Sequence, residues 1–128
     1  MKKILLIDDS FYERERHQFV LRSGHIDCEV LEAVNGREAL DILKKQSSEI
    51  GLIILDWHMP VLDGADFLRE FVKHPEWSQI KAIMCTSFGS DERKAYIRQI
   101  FPNLAGYVVK PYQPEVMLQA VKQIINAM

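Results

Sequence analysis

Five polar residues, each following a short apolar segment, have the side chains needed to transfer a phosphoryl group. They are Asp8, Asp9, Asp56, Thr86 and Lys110. Crowded carboxylates repel one another unless a cation balances them, and Mg²⁺ does so with oxygen ligands where phosphate is handled. A lysine and a hydroxyl would neutralise the remaining phosphoryl oxygens. These residue types predict in-line attack by a carboxylate on phosphorus, which gives an aspartyl phosphate.

Asp56 is the candidate nucleophile because of the segment that precedes it. The uninterrupted run Leu52-Ile53-Ile54-Leu55 suits a strand buried on both faces of a parallel sheet. Asp56 would then stand at the carboxyl end of that strand, where open α/β sheets bind their ligands. Alone, such an aspartate is usually a capping or turn residue. The prediction therefore depends on the other four residues lying beside it.

Alternating apolar segments and helical periods predict the elements that position these residues. Strands are predicted at residues 3–7, 28–33, 52–55, 80–86 and 106–109. Helices are predicted at about 11–23, 37–46, 64–73 and 91–100, with a last helix from Pro114. This alternation predicts one α/β domain, residues 1–128, with a doubly wound five-stranded parallel sheet in the order 2-1-3-4-5 and five helices. The strands that carry the five polar residues are then consecutive, so all five meet in one crevice.

Composition excludes several other classes of function. The 128 residues carry a formal net charge of -2, which gives no basic surface for direct nucleic-acid binding. No apolar run approaches the roughly 20 residues that span a bilayer, so no membrane insertion is expected. Asp8 and Asp9 interrupt the first apolar run too early for a signal peptide, which predicts a cytoplasmic protein. Neither a G-x-G-x-x-G fingerprint nor a Walker lysine motif occurs.

The chain resembles the receiver domain of two-component response regulators, the CheY-like fold. The resemblance covers essentially the whole sequence, and the combination of motifs is far more specific than any one of them. It rests on Asp8-Asp9, Asp56-Trp57-His58-Met59-Pro60, Asp63-Gly64, Thr86, and Gly106-Tyr107-Val108-Val109-Lys110-Pro111.

The resemblance implies a phosphoacceptor and a metal site. Asp56 would accept a phosphoryl group from a histidine kinase or a histidine phosphotransfer protein. Asp9 and Asp56 would bind Mg²⁺ (or Mn²⁺) directly, together with the backbone carbonyl of His58. Asp8 would act mainly through metal-bound water. The bond between Lys110 and Pro111 is where the family has a cis peptide.

The resemblance also implies a switch. Thr86 and Lys110 would each bond an oxygen of the phosphoryl group. As the Thr86 hydroxyl moves inward, the ring of Tyr107 would move from an exposed to a buried position. The face formed by the fourth helix, the fifth strand and the fifth helix would then change its affinity for a downstream protein. Tyr96, Gln99, Tyr107 and Tyr112 are expected on that face.

Several residues of the predicted site depart from the family pattern or flank the phosphoryl group. Ser87 stands where the family usually has alanine. His58 and Phe88 are bulky and would flank the route of the attacking water, so hydrolysis of the acyl phosphate is expected to be slow.

The sequence leaves alternatives for the setting and class of the domain. Because the chain ends after the last helix, we expect a receiver without an output domain, acting through protein contacts as in chemotaxis or a phosphorelay, as a monomer or a phosphorylation-dependent dimer. It could instead be excised from a larger regulator or a hybrid kinase. A rival class is a Mg²⁺-dependent phosphohydrolase with Asp56 as nucleophile, although His58 stands where such enzymes have an acid-base aspartate. A phosphorylation-independent scaffold is the third class.

Overall fold

Five strands and five α-helices alternate along the chain in a computed structural model that describes residues 2–127. The strands are β1 (Lys3–Ile7), β2 (Val30–Ala33), β3 (Ile50–Leu55), β4 (Lys81–Thr86) and β5 (Gly106–Val109). The helices are α1 (Phe11–Ser23), α2 (Gly36–Gln46), α3 (Gly64–Phe71), α4 (Asp91–Ile100) and α5 (Pro114–Asn126). Short 3₁₀ turns occupy Ser47–Glu49 and Pro75–Trp77.

The sheet is parallel throughout and has the order β2-β1-β3-β4-β5, which confirms the predicted topology. Its register brings the strand ends level. Ile7 at the end of β1 pairs with Leu55 at the end of β3, and Thr86 pairs with Val109. The residues that follow these strands are therefore neighbours at one edge of the sheet.

Two apolar cores cover the two faces of the sheet. On one face, side chains such as Leu5, Ile53 and Met84 pack with α2, α3 and α4. On the other, Leu6 and Ile54 pack with α1 and α5. Alternate residues of β3 thus enter opposite cores, and all of Ile50–Leu55 is buried, as the uninterrupted apolar run predicts.

Some predicted boundaries differ from the structure by about two residues. β2 begins at Val30 rather than Cys28, because the first pair with β1 joins Ile4 to Val30. α3 ends at Phe71 rather than Lys73, since the amide of Lys73 already donates to Glu70 in a tighter turn. β3 begins at Ile50 rather than Leu52, and β4 begins at Lys81 rather than Ile80.

The burial pattern of α1 is the main local surprise. Phe11 and Phe19 are exposed, at 67% and 64% of their surface. Arg14 and His17 are buried in their place, beside Val20 and Leu21. The helix therefore turns two long polar side chains toward the sheet edge.

Within residues 2–127, no helix has the length and hydrophobicity required to cross a membrane.

Candidate phosphorylation site

The backbone ladder continues past the strands and positions the predicted site residues. The amide of Asp56 donates to the carbonyl of Ile7 at 2.9 Å, and the amide of Lys110 donates to the carbonyl of Thr86 at 2.9 Å. Each side chain thus leaves a backbone that the sheet holds fixed. Asp8, Asp56, Thr86 and Lys110 lie at one edge, as predicted.

Lys110 is the cation at the centre of the site. Its Nζ lies 2.8 Å from Asp8 Oδ2, 3.2 Å from Glu13 Oε1 and 3.5 Å from Asp56 Oδ2. Its side chain is only 13% exposed, and its bond to Pro111 is cis. Burial opposes the charge, but Asp8 and Asp56 more than compensate and raise the pKa of Lys110. Lys110 is therefore a fixed positive charge between carboxylates.

Asp8 is held ionised in a buried position. Its Oδ1 accepts the amide of Ser10 at 2.9 Å, and His17 Nε2 lies 3.7 Å from its Oδ2. Burial alone would raise the pKa of the Asp8 carboxyl, but His17, Lys110 and the Ser10 amide together hold that pKa below its ordinary value. Asp8 thus supplies a permanent negative charge.

Asp56 has the opposite electrostatic balance. Burial raises the pKa of its carboxyl, and the charge of Asp8 adds to the effect against the attraction of Lys110. Its Oδ1 accepts the amide of Trp57 at 2.8 Å. An ionised Asp56 is thus short of compensating charge, and it would gain from a bound cation.

The site has the ligands for a divalent metal. Carboxylate oxygens of Asp8, Asp9 and Asp56 all lie within 4.8 Å of one another, with Asp9 exposed and accessible to solvent. Oxygen donors at this spacing suit Mg²⁺. A second group, formed by Asp8, Glu13 and His17, includes an imidazole nitrogen and suits a hard cation less well.

The two predicted switch residues meet at the backbone of Phe88. The hydroxyl of Tyr107 donates to the Phe88 carbonyl. The Phe88 amide donates to Thr86 Oγ1 at 3.4 Å. Thr86 is buried and Tyr107 is half-buried, and burial raises the pKa of the Tyr107 phenol. A movement of the Thr86 hydroxyl can therefore reach Tyr107 through one residue.

Gly64 allows α3 to begin directly behind Asp56. Its amide donates to the carbonyl of Trp57 at 2.7 Å. A Cβ at this position would lie 2.3 Å from the carbonyl oxygen of Asp56. Only glycine fits this close approach of two backbones.

Sequence reasoning missed a polar cluster beneath the site. Tyr112 is buried and contacts His17 Nδ1 through its hydroxyl at 2.7 Å, so the expectation that Tyr112 lies on the exposed output face was wrong. Glu13 and His17 are four residues apart on α1, which places both on the face toward Asp8. That i, i+4 spacing is the signal in the sequence that points to the cluster.

The sequence of the domain matches a known protein family. The family model of the response regulator receiver domain matches residues 4–122. The chain belongs to that family. Receiver domains are switches of two-component signalling and not a known enzyme family.

Known proteins similar to this receiver domain include chemotaxis proteins. A CheY homolog of Campylobacter jejuni is 31% identical over 125 residues, covering 97% of this chain and 92% of that protein. The structure of chemotaxis protein CheY4 of Vibrio cholerae has a TM-score of 0.83 at 30% identity, covering 97% of this chain and 98% of that one. The sensor histidine kinase CheAY of Helicobacter pylori is 30% identical over 123 residues, covering 96% of this chain but 15% of the kinase.

Proposed function

We propose that Asp56 is the phosphoacceptor of a signalling switch. An oxygen of its carboxylate bonds to phosphorus as the nitrogen–phosphorus bond of a phosphohistidine on the partner breaks, and the imidazole of that histidine leaves. The observation that carries the proposal is the position of Asp56 Oδ2, 3.5 Å from Lys110 Nζ and grouped with the carboxylates of Asp8 and Asp9. Lys110 balances the charge that the phosphoryl group brings.

Mg²⁺, or Mn²⁺ in its place, is the proposed cofactor. Asp9 and Asp56 would hold it with the backbone carbonyl of His58, and Asp8 would orient metal-bound water. The ion would supply positive charge for the oxygens of the transferring group. The oxygen-only donor set and the raised pKa of the Asp56 carboxyl support this assignment.

The switch would run from Thr86 to Tyr107. In the phosphorylated state the Thr86 hydroxyl donates to a phosphoryl oxygen, and Lys110 pairs with another. The Phe88 backbone, which contacts both Thr86 and Tyr107, then shifts. The face of α4, β5 and α5 would thereby change its affinity for a downstream protein.

The domain would also release its own phosphoryl group, and slowly. The rings of His58 and Phe88 lie 6.1 Å apart, which places two bulky groups together beside the loop of Asp56. Such groups hinder the approach of water. Autodephosphorylation is then a timer for the signal rather than a turnover reaction.

A histidine kinase or histidine phosphotransfer protein is the proposed donor, acting in the cytoplasm. The similarity to part of the histidine kinase CheAY supports a kinase as partner. We propose a single receiver domain of residues 1–128. The alternative, which the same similarity supports, is a receiver that belongs to a larger regulator or hybrid kinase. We propose a monomer, with a phosphorylation-dependent dimer as the alternative.

A direct test combines a small phosphoryl donor with mass measurement. After incubation with phosphoramidate and Mg²⁺, the intact protein should gain the mass of one phosphoryl group, and Asp56→Asn should gain none. Repeated turnover of phosphate esters would favour the rival phosphohydrolase. Failure to gain the group from phosphoramidate and from a phosphorylated histidine kinase alike would favour a phosphorylation-independent scaffold.

A further inference from the structure

Arg93 joins two aromatic rings at the edge of the candidate site. Its guanidinium carbon lies 4.4 Å from the centroid of the Phe88 ring and 5.2 Å from that of Trp57. The two rings meet nearly edge to face, with centroids 5.5 Å apart and an interplanar angle of 73°. A cation over an aromatic face is attracted by the ring quadrupole, so Arg93 stabilises both rings in this arrangement.

Helix α4 fixes the position of Arg93. The amide of Arg93 donates to Ser90 Oγ at 3.2 Å, which caps the helix. One turn further on, Tyr96 stacks on Trp57 with centroids 5.8 Å apart and an interplanar angle of 8°. The helix therefore contacts the ring pair at two positions, and its placement determines where the guanidinium lies.

The ring pair connects the two loops that carry the reacting groups. The amide of Trp57 donates to Asp56, and the amide of Phe88 donates to Thr86. The Phe88 ring also contacts the ring of His58, with centroids 6.1 Å apart. Phe88 thus extends from the loop after β4 to the loop after β3, across the edge of the crevice.

We propose that Arg93 is a positioning residue that holds the Phe88 ring in place and so restricts the access of water to phosphorylated Asp56. The inference rests on the proposed function, because it concerns the lifetime of the phosphoryl group. In the restricted step a water oxygen bonds to phosphorus while the bond from phosphorus to the Asp56 oxygen breaks. The products are the carboxylate and inorganic phosphate, and a proton passes to solvent.

The lifetime of the acyl phosphate tests this role. The protein is phosphorylated with phosphoramidate and Mg²⁺, the donor is removed by rapid desalting, and loss of the group is followed by intact mass. Arg93→Ala should lose it about threefold to tenfold faster, which is the scale of the exposed cation–π contacts removed. Arg93→Lys should restore part of the lifetime, and Arg98→Ala, which removes the same charge from an exposed position on α4, should decay like the wild type.

A double variant separates positioning from a direct effect of the charge. Phe88→Ala should also shorten the lifetime, and Phe88→Ala with Arg93→Ala should decay no faster than Phe88→Ala alone, because Arg93 acts through that ring. Fluorescence gives a second measurement that needs no phosphorylation. In a Trp77→Phe background, Arg93→Ala should increase quenching of Trp57 by acrylamide.

Each contrary outcome has a distinct meaning. A wild-type decay rate in Arg93→Ala, or additive effects in the double variant, would overturn the positioning role. Unchanged quenching of Trp57 would overturn the stabilisation of the rings by Arg93. If the wild-type protein never gains a phosphoryl group, the proposed function fails, and this inference fails with it.

Discussion

The ammonium of Lys110 lies 2.8 Å from Asp8 Oδ2, closer than to the carboxylate of Asp56 at 3.5 Å. Asp8 is almost completely buried, with 2% of its surface exposed, whereas Asp56 is partly exposed to solvent. Lys110 is thus anchored by Asp8, which forms no bond to phosphorus in the proposed reaction, and it remains within reach of Asp56, the proposed phosphoacceptor.

Removal of the ammonium should destabilise the metal-free protein. In Lys110→Met, measured in EDTA at pH 7, we expect the free energy of unfolding to fall by about 2–3 kcal/mol, because two carboxylates lose their shared cation. Lys122→Met, on the exposed side of α5, should change it by less than about 0.5 kcal/mol. Equal losses in the two variants would contradict the anchoring role.

The fall in unfolding free energy caused by Lys110→Met should depend on pH because Asp8 titrates. The pKa of its carboxyl is depressed in the folded protein. Such a group stabilises the fold above its unfolded pKa, and the contribution disappears as pH falls through the folded pKa. The difference between wild type and Lys110→Met should therefore narrow as pH falls below about 4, in urea titrations across pH.

Asp56 should behave in the opposite way, because burial and Asp8 raise the pKa of its carboxyl. The fold then favours the protonated form, and stability is lost as pH rises through the folded pKa. In EDTA at pH 7, Asp56→Asn should be more stable than the wild type by about 1–3 kcal/mol, and the gain should vanish as pH falls toward about 4.

Two further measurements check the Asp56 prediction. Asp41→Asn, an exposed substitution on α2, should show no such gain. Addition of Mg²⁺ should stabilise the wild type more than Asp56→Asn, because the ion binds the native carboxylates. If the wild type were more stable than Asp56→Asn in EDTA, the proposed cost of ionising Asp56 in the fold would be contradicted.

The sheet and most of the site could be predicted because they depend on local signals. The apolar run before Asp56 determines a buried strand, and the strand order then fixes which loops are neighbours. Asp8, Thr86 and Lys110 follow the ends of such strands. Their convergence needs only the register of a parallel sheet.

The supporting residues could not be predicted because their roles depend on how α1 and α4 pack. Phe11 and His17 would be assigned to the wrong environments by hydrophobicity alone, since the helix faces a charged sheet edge at its amino end. Likewise, Arg93 has an ordinary exposed position on a helix. Only the placement of α4 against the loop of Phe88 brings its guanidinium over two rings.

Gly64 provides a test of the close backbone approach behind Asp56. In Gly64→Ala the new Cβ would overlap the carbonyl oxygen of Asp56, 2.3 Å away, and push its backbone. We expect a loss of about 1–3 kcal/mol in unfolding free energy and slower phosphorylation by phosphoramidate. Gly106→Ala, whose Cβ would lie 3.2 Å from a methyl group of Ile83, should be milder in both assays. If Gly64→Ala had the stability and phosphorylation rate of the wild type, the backbone at Asp56 would be able to move aside without cost, contrary to this prediction.

Val61 carries backbone strain in the loop that follows Asp56. It has a φ of 72° although it is β-branched, and its side chain is 77% exposed. Val61→Asn should raise the free energy of unfolding by about 1 kcal/mol, because asparagine tolerates this conformation better. Val116→Asn, at an exposed position within α5, should give no gain. The free energies of unfolding of the two variants are compared with the wild type by denaturant titration. A loss of stability in Val61→Asn would contradict the backbone strain at Val61.

The location of the phosphoryl group tests the central claim most directly. The protein is phosphorylated by phosphoramidate with Mg²⁺ and then reduced with borohydride, which converts an aspartyl phosphate to homoserine. Peptide mass spectrometry of the digest should find homoserine at position 56 and aspartate at positions 8 and 9. Homoserine at position 8 or 9 instead, or aspartate at all three positions, would contradict the assignment of Asp56 as phosphoacceptor.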